Sequence, residues 1–323
     1  MLKKAASFIS FFLLTFVSFL FISSFISEPV KRVKETKIEE TSGNNFPQNY
    51  KIVSPKLPKK ISFCGEPVPL KNIDVKERLD REIIVNTYWH SLSILSLKRA
   101  ERWFPVIEPI LKKYNVPDDL KYLALSESML TNTISPAGAT GFWQFKKETA
   151  KEYGLEINKE IDERYNVKKA TEAACKFLTD SYERYKSWTL AAASFNYGRS
   201  ALETQMKKQE TNNYYNLVLP EETSRYVFRI IAIKEVMEHP NKYGFFLKKS
   251  DYYQPYKTFT AKVNGSVKSW AEFARSKGIN YKILKMLNPW LRKSYLKNKH
   301  NKTYFVELPQ KGSIYVIPER KID

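Results

Sequence analysis

One acidic residue stands on a helical stripe that is otherwise apolar. Leu120, Leu123 and Ala124 recur at helical spacing, and the next position of this stripe is Glu127. Burial raises the pKa of a carboxyl group because the charged form loses hydration, and the negative end of a helix dipole adds to this effect. A glutamic acid that stays protonated near neutral pH can act as a general acid. Glu127 is therefore the candidate proton donor, although most glutamates within helices lie on a solvated face.

The residues that follow Glu127 are mostly small or polar. The stretch "SESMLTNTISPAGATGFWQF" starts at residue 126 and contains Gly138 and Gly141. Glycine has no Cβ, so it permits tight turns and lets another molecule approach the backbone closely. Three of the ten glycines of the chain, at 138, 141 and 154, fall in this region. We predict a short hairpin here and, beside Glu127, a cleft that a polymer strand can enter.

Four stretches of the chain carry a specific resemblance. They are "ALSES", "SPAGATGFWQF", "AAASFNYG" (191–198) and "LPEETSRYVFRI" (219–230). Their order and spacing are similar to the four motifs of the lytic murein transglycosylases, a family with a goose-lysozyme-like fold. The similarity covers residues 100–238. The chain looks closest to the membrane-bound type D branch, because "PDDLKYLAL", "DERYNVKKATEAACKFL" and "HPNKYGF" also conform to it.

The resemblance implies a role for each matching residue. Glu127 matches the catalytic acid and base of the family, and Ser128, which follows it as the first motif requires, is expected to contact substrate. Ser135 matches a hydroxyl that contacts the acetamido region of the muramic sugar. In the second motif, a large side chain forms the floor of the cleft and the glutamine binds substrate. The residues that match this motif are Gly141, Phe142, Trp143 and Gln144.

The last two motifs supply Asn196 and Tyr226, and the chain departs from the family pattern at two positions. Phe195 stands where the third motif usually has tyrosine, and Trp143 replaces the usual methionine, which suits a floor that stacks on sugar. Other roles remain open for the aromatic residues and for the asparagine. Phe142 and Trp143 fit a core, Asn196 fits a turn brace before Gly198, and Tyr226 lies on an apolar helical stripe.

The resemblance also bears on the reaction. Ordinary glycosidases use two carboxylates, and the sequence offers no second acid placed like Glu127, since Asp118 and Asp119 open the same helix two turns earlier. In the family, the O6 hydroxyl of N-acetylmuramic acid attacks its own C1, so one acid suffices. The implied product is a 1,6-anhydromuramic acid end. The alternatives are a lysozyme-type hydrolase and a wall-binding protein without catalytic activity.

The net charge favours a polyanionic neighbour. The 323 residues contain 54 basic and 34 acidic side chains, a formal charge of +20. This charge fits nucleic acid, anionic lipid or an acidic envelope polymer. No helix-turn-helix, zinc or RNA-binding motif is present, so nucleic acid is not expected as a partner. We expect peptidoglycan glycan strands as the partner and the chain itself to be a monomer.

The N-terminal residues have the pattern of an export segment. Lys3 and Lys4 precede residues 5–27, which carry no charged side chain and are long enough to cross a bilayer as a helix. Residues 1–27 are read as a signal peptide or a signal anchor, because the small residues of a cleavage site are poorly matched. This predicts the periplasm or cell envelope, with the membrane contacted through this segment.

The cysteines and histidines do not form a metal-binding pattern. Cys64, Cys175 and three histidines have no metal-ligand spacing, so we expect no metal and no cofactor. Two cysteines are also too few for a disulfide scaffold. An exported chain could join them, but Cys175 lies in the apolar run "TEAACKFL", which fits a buried thiol.

The remaining pattern divides the chain into a linker and two domains. Residues 28–60 are charged and contain several prolines, as in a flexible linker. Residues 61–248 show helical periodicity and are expected to form a mainly α, lysozyme-like (goose-type or SLT) catalytic domain. Besides the helix that carries Glu127, helices are predicted near 145–153, 167–185, 188–197 and 221–238.

Residues 249–323 read as strand, helix, helix, strand. The strands are "KTFTAKV" and "TYFVELP", and "AEFARSKGINYKILKMLNPWL" lies between them. This βααβ pattern resembles a degenerate LysM module, whose usual opening Gly-Asp-Thr-Leu is here Asn264 to Val267. The resemblance implies a small glycan-binding domain. A purely structural appendage is the alternative.

Overall fold

The computed structural model describes residues 52–316. Within them lie ten α-helices and four short strands, so the prediction of a mainly α fold is confirmed. The predicted export segment, residues 1–27, lies outside the described residues, as does most of the predicted linker. In the described part of the chain, no helix combines the length and the apolar character that a membrane crossing requires.

The larger part of the structure consists of eight helices and one hairpin. The hairpin pairs β1 (Ser62–Phe63) with β2 (Glu66–Pro67) in antiparallel fashion. The helices are α1 (Ile73–Tyr88), α2 (His90–Lys113), α3 (Lys121–Ser128), α4 (Lys147–Glu152), α5 (Val167–Tyr185), α6 (Trp188–Tyr197), α7 (Arg199–Lys208) and α8 (Glu221–Glu238). The last three helices predicted from sequence coincide with α5, α6 and α8.

Side-chain caps explain why several of these helices begin where they do. Asn72, Asn166 and Ser187 each accept a hydrogen bond from a backbone N–H in the first turn of the following helix. The start of α6 has a second cap, because the Glu66 carboxylate accepts bonds from the backbone N–H and hydroxyl of Thr189. The hairpin is thereby tied to the N-terminus of α6, where the helix dipole favours a negative charge.

The short helix α3 lies at the centre of this part. It packs against α2 on one side and α8 on the other, and α8 also packs along α1. Leu120, Leu123 and Ala124 are each 0 % exposed, which confirms that their stripe faces the core. The packing therefore fixes the orientation of Glu127, the next residue of that stripe.

The C-terminal residues form a separate small core. Strand β3 (Thr258–Asn264) pairs antiparallel with β4 (Thr303–Pro309), and helices α9 (Trp270–Ser276) and α10 (Tyr281–Leu287) pack on them. This βααβ unit is called the C-terminal module below. The buried side chains of its core include Trp270, Leu284 and Val306.

A short strap joins the two parts. In residues 252–256, the backbone N–H of Tyr253 bonds the Lys98 carbonyl at 3.1 Å, and the Arg102 guanidinium lies 4.3 Å from the Tyr256 ring centre. The connection is therefore held against α2 by hydrogen bonds and cation–π contacts.

Candidate active site

Glu127 occupies the last turn of α3. Directly after this helix, Met129 and Leu130 both have left-handed backbone angles, with φ of 51° and 54°. The N–H of Met129 closes the helix on the Leu125 carbonyl at 2.7 Å. The chain thus turns sharply away just past the acid, which leaves the Glu127 carboxyl at the edge of the packed core.

The surroundings of Glu127 favour its protonated form. Burial raises the pKa of its carboxyl from 4.5 to about 7, and the charge of Glu222 acts in the same direction. A hydrogen bond from Tyr226 and the positive charge of Arg229 oppose this rise. Because burial outweighs both, Glu127 is placed to give a proton near neutral pH and to take one back.

Tyr226 is the direct partner of Glu127. It lies on α8, its side chain is 1 % exposed, and its hydroxyl donates a hydrogen bond to Glu127 Oε1. Burial and the adjacent Glu127 hold the pKa of Tyr226 well above 10, so this hydroxyl stays protonated and acts as a donor. The sequence left core packing open for Tyr226, and the structure gives it both a core position and this contact.

Arg229 lies one turn beyond Tyr226 on the same face of α8. Its guanidinium forms two hydrogen bonds with the Glu222 carboxylate, at 2.9 and 3.1 Å. These residues follow one another at helical spacing, so α8 places a cation and an anion beside the tyrosine. The electrostatic environment of Glu127 therefore depends largely on one helix face.

A cavity of about 480 Å³ opens beside Glu127. It is bounded by α3, α8 and the turn between α1 and α2, and the exposed Trp89 stands at that turn. Its charged and polar lining includes Glu82, Asn86, Ser93, Ser126, Glu127, Thr131, Thr133, Arg225 and Arg229. A space of this size next to a protonated carboxyl can hold a sugar-sized group.

The cavity contains a second buried acid that the sequence did not reveal. Glu82 on α1 is 1 % exposed, and its Oε1 accepts hydrogen bonds from Arg81 and Arg225, both at 2.7 Å. Its Oε2 has no hydrogen-bond partner among the described residues and lies 4.0 Å from Arg229. The sequence led us to expect no second acid placed like Glu127, and the structure shows that Glu82 is also buried beside the cavity. Glu82 differs from Glu127 because two arginines hold its carboxylate.

The loop between α3 and α4, residues 129–146, is called the glycine loop below. Its tip is a turn in which the Gly138 N–H bonds the Ser135 carbonyl and the Ala139 N–H bonds the Ser135 hydroxyl. Isolated β-bridges join Ile134 to Thr140 and Thr140 to Phe145, which agrees with the predicted short hairpin. Ser135 is half-buried in this turn, and its hydroxyl hydrogen remains available to a ligand.

Gly141 is required by a close backbone approach. Its φ is 82°, and a Cβ placed on it would lie 2.0 Å from the Arg164 carbonyl oxygen. A side chain at this position would collide with backbone that has no room to move. The neighbouring Gln144 then folds back, and its amide nitrogen donates to the Gly141 carbonyl at 2.8 Å.

Ser128 attaches the glycine loop to the end of α3. Its hydroxyl is buried and donates to the Phe142 carbonyl at 2.8 Å. Glu127 and the loop are thus linked through adjacent residues. This contact gives Ser128 a positioning role beside the acid, in addition to the substrate contact expected for it.

Phe142 and Trp143 lie in the core and do not form an exposed floor. Phe142 is 2 % exposed with its ring centre 5.0 Å from that of Trp103, and Trp143 is 0 % exposed. The Trp143 indole N–H donates to the Thr171 hydroxyl at 2.9 Å. The sugar-stacking role expected for Trp143 is therefore corrected, because a fully enclosed ring cannot reach a ligand.

Asn196 is half-buried in the last turn of α6. Its side-chain oxygen accepts a hydrogen bond from the Thr223 hydroxyl at 2.9 Å, which ties α6 to the first turn of α8. The preceding Phe195, which stands where the family motif usually has tyrosine, packs against the rings of Phe145 and Phe177. Its position is therefore part of an aromatic cluster that needs no hydroxyl. Asn196 therefore braces the structure while keeping its amide N–H groups for a ligand.

The structure thus brings some of the predicted residues into direct contact. Tyr226 bonds Glu127, and Ser128 bonds the loop that carries Gly141 and Gln144. Among the described residues, Ser135, Gln144 and Asn196 do not line the cavity. Sequence reasoning missed Glu82, Arg225 and Arg229, and the signal for Arg229 was its helical spacing from Tyr226.

The described residues also bear on the metal and disulfide questions. No group of three or more histidine, cysteine, aspartate or glutamate side chains within 52–316 is arranged to hold a metal ion. Cys64 and Cys175 are both free, so the structure does not join them. Burial raises the pKa of the Cys175 thiol to about 12, in agreement with the buried thiol that its apolar run predicted.

Comparison with known proteins gives two family matches. Residues 104–218 match the transglycosylase SLT domain, and residues 259–312 match the soluble lytic transglycosylase C-terminal LysM-like domain. The first match covers α3, the glycine loop and Asn196, and the second covers most of the C-terminal module.

Two curated relatives are similar along most of the chain. The membrane-bound lytic murein transglycosylases D of Escherichia coli strains K12 and O6:H1 are each 26 % identical over 245 residues, 73 % of this chain. The match covers 52 % of each relative, so the chain spans about half the length of the curated relatives it matches. The chain therefore contains a transglycosylase SLT domain followed by a LysM-like domain of the kind found at the C-terminal end of soluble lytic transglycosylases.

Proposed function

We propose that the protein is a peptidoglycan lytic transglycosylase. It cleaves the β-1,4 bond between N-acetylmuramic acid and N-acetylglucosamine and leaves a 1,6-anhydromuramic acid end. The observation that carries the proposal is the raised pKa of Glu127, about 7, beside a cavity within an SLT domain. The names of the relatives support the same activity.

In the first step, Glu127 gives its proton to the glycosidic oxygen. The bond from that oxygen to C1 of the muramic sugar then breaks, and the N-acetylglucosamine part leaves as an alcohol. Positive charge develops at C1 and the ring oxygen, and the acetamido group of the same sugar can stabilise it. Tyr226 holds the carboxyl through Oε1, which leaves Oε2 for this transfer.

In the second step, the Glu127 carboxylate accepts the proton of the O6 hydroxyl while O6 bonds to C1. This closes the 1,6-anhydro ring and restores protonated Glu127, so no water is consumed. An internal nucleophile has an effective molarity that can reach ~10⁵ M or more, which compensates for the absence of an activated water. A pKa near 7 suits both halves of the cycle, because the same group gives and takes the proton.

The remaining candidate residues would bind the glycan. Ser135 and Gln144 present polar groups on the glycine loop, and Asn196 presents amide N–H groups at the end of α6. Gly141 lets this part of the loop lie close to the connecting backbone. Ser128, Phe142 and Trp143 support these contacts from beneath the loop.

One observation favours a lysozyme-type hydrolase as a second candidate. Glu82 is a buried carboxylate in the same cavity, and its Oε2 lacks a hydrogen-bond partner among residues 52–316. A carboxylate in that position could activate a water molecule. Its other oxygen is held by Arg81 and Arg225, however, so the carboxylate already has two cationic partners in the folded protein.

We further infer that the LysM-like domain binds the same polymer. Its family match and the +20 charge of the chain fit an acidic wall glycan. We place the protein in the cell envelope, with residues 1–27 as signal peptide or membrane anchor. The relatives that match are named membrane-bound, and residues 5–27 carry no charge.

Product analysis tests the proposed reaction. Purified sacculi are digested, treated with borohydride and examined by mass spectrometry. Anhydro ends are lighter by one water than hydrolysis products and resist reduction, whereas hydrolysis leaves reducible ends. Predominantly reducible ends would favour the hydrolase over the transglycosylase. If no soluble product is released, the protein would be a wall-binding protein without catalytic activity.

A further inference from the structure

The segment between α4 and α5 contacts both the C-terminal module and the glycine loop. This segment, residues 153–166, is called the connector below. Ile161 forms an isolated antiparallel bridge with Leu291 of the module. The Asp162 N–H bonds the Trp290 carbonyl at 3.0 Å, and the Arg292 N–H bonds the Glu160 carbonyl at 2.7 Å. The module thus adds a short backbone pairing to the edge of the connector.

Side chains strengthen this junction. Ile161 and Tyr165 are buried in the core of the module, and the Arg292 guanidinium lies 4.1 Å from the centre of the Tyr165 ring. A cation that close to a partly desolvated ring is attracted to its face. The connector is therefore shared between the two domains and does not belong to one alone.

The side chain of Asp162 forms an ion pair with Arg164. The two Asp162 carboxylate oxygens accept from the Arg164 Nε at 3.0 Å and from its Nη2 at 2.8 Å. Both side chains are only 11 % exposed, so the pair is largely removed from water. This two-point pairing fixes the plane of the guanidinium, which a single contact would not do.

Arg164 in turn holds the glycine loop. Its remaining nitrogen, Nη1, donates to the Gly138 carbonyl at 3.1 Å and to the Phe145 carbonyl at 3.2 Å. Gly138 lies in the tip turn and Phe145 at the end of the hairpin, so one guanidinium spans both strands of the loop. The Arg164 carbonyl also fills the space where Gly141 would carry a side chain.

We propose that Arg164 is a positioning residue through which the LysM-like module holds the glycine loop beside the catalytic acid. The path runs from the Trp290 carbonyl through Asp162 and Arg164 to Gly138 and Phe145. The loop then reaches Glu127 through the bond from Ser128 to the Phe142 carbonyl. Lysine cannot replace Arg164, because it lacks the planar fork that bonds a carboxylate and two carbonyls together.

This inference rests on the proposed function for its kinetic consequence but not for its structural one. In the full chain, Arg164→Ala and Arg164→Lys should speed amide hydrogen exchange at Gly138, Thr140 and Gly141, while α5 and α8 keep their protection. A misplacement of about 1 Å can cost 10²-fold in rate, so we expect kcat on soluble glycan chains to fall roughly 10- to 100-fold. Glycan contacts outside the glycine loop, such as those proposed for Asn196, are kept, so KM should change less.

A matched pair of variants tests the part played by the module. Arg292→Ala weakens the junction at the connector, and Lys168→Ala removes the 2.5 Å bond between α5 and Glu307 of the module without touching the connector. Each change deletes one positive charge. Only Arg292→Ala should speed exchange in the glycine loop and lower kcat.

The exchange measurement needs no enzymatic activity, so it separates the two proposals. If the wild-type protein releases no glycan product while Arg164→Ala still loosens the loop, the proposed function fails and the positioning role stands. Unchanged loop exchange in Arg164→Ala overturns the positioning role. Equal loop exchange in Arg292→Ala and Lys168→Ala overturns the part assigned to the module.

Discussion

The Tyr226 hydroxyl donates a hydrogen bond to Oε1 of Glu127, and this bond joins the second turn of α8 to the end of α3. The contact stabilises the charged form of Glu127, so it lowers the pKa that burial has raised. The pKa of about 7 is therefore a balance between desolvation on one side and a hydrogen bond and a cation on the other. Each contribution can be removed separately.

Tyr226→Phe should move the alkaline limit of activity to higher pH. The ring is kept, but the hydroxyl that favours the carboxylate is lost, so the pKa of Glu127 rises above its wild-type value of about 7. Activity that requires protonated Glu127 then persists further into the alkaline range. The check is kcat/KM against pH on soluble glycan chains, which reports the free enzyme. If the alkaline limb of this pH profile stays in place or moves to lower pH, Tyr226 does not stabilise the charged form of Glu127.

Two charges on α8 should shift the same limb in opposite directions. The charge of Arg229 lowers the pKa of Glu127 and that of Glu222 raises it. Arg229→Gln should therefore move the alkaline limb up, and Glu222→Gln should move it down. Both variants break the same Arg229–Glu222 pair. A shared loss of packing would move both limbs alike, so opposite shifts identify an electrostatic cause.

Glu127→Gln should abolish wall digestion while the fold is retained. The amide keeps the shape of the side chain but cannot deliver a proton, and the loss of a general acid costs at least ~10²–10⁴-fold. Release of soluble products from sacculi measures the loss. Residual turnover above about a tenth of wild type, well short of that range, would remove Glu127 from the catalytic role.

The same variant has a predictable effect on stability. The folded-state pKa of Glu127 is raised, so its contribution to stability is fully present below about 4.5 and is lost as pH rises through about 7. Glutamine has no such dependence. The Tm of Glu127→Gln relative to wild type should therefore increase between pH 5 and pH 8, and thermal unfolding at both values serves as the control that the variant folds.

Two glycines of the same loop offer a matched comparison. Gly138 and Gly141 both have positive φ, at 77° and 82°, so alanine at either site should cost about 1–2 kcal/mol of backbone strain. At Gly138 an added Cβ meets nothing within 4 Å, whereas at Gly141 it meets the Arg164 carbonyl at 2.0 Å. Gly141→Ala should therefore lose a further ~1–3 kcal/mol and most activity. Denaturant unfolding of both variants checks this, and equal losses would refute the steric argument.

Local signals predicted the parts of the molecule that depend on neighbours in sequence. The starts of α5 and α6 agree with Asn166 and Ser187, because capping residues mark helix starts directly. Glu127 was recognisable because an acid interrupts a stripe whose period is set by the helix itself. The βααβ order of the C-terminal module was likewise predicted from the alternating and helical spacing of its apolar residues.

Contacts between distant residues could not be read in this way. Arg225 bonds Glu82 across 143 positions, and nothing local to either residue indicates this pairing. Glu82 follows the buried Val75 and Leu79 at helical spacing, as Glu127 follows its own stripe, so its burial was missed although the pattern was present. The sequence left two positions open for Trp143, the cleft floor and the core, for a related reason. A motif fixes the residue type but not the side of the loop on which the ring lies. Here the ring lies in the core, where its indole N–H donates to the Thr171 hydroxyl.

The role of Glu82 gives the last prediction. If water were the acceptor, Glu82 would be the only other carboxylate among the described cavity residues able to activate it. The internal O6 attack needs no such base, so Glu82→Gln should leave the products as 1,6-anhydromuramic acid ends. Its rate should fall modestly, because Arg225 and Arg81 lose the buried carboxylate that they share and α1 loosens against α8.

Mass spectrometry of borohydride-treated digests of Glu82→Gln gives the product type, and thermal unfolding measures the loosening. A loss of turnover comparable to that of Glu127→Gln, in a variant that remains folded, would show that Glu82 takes part in the chemistry, and reducible wild-type products would then assign it as the base of a hydrolase.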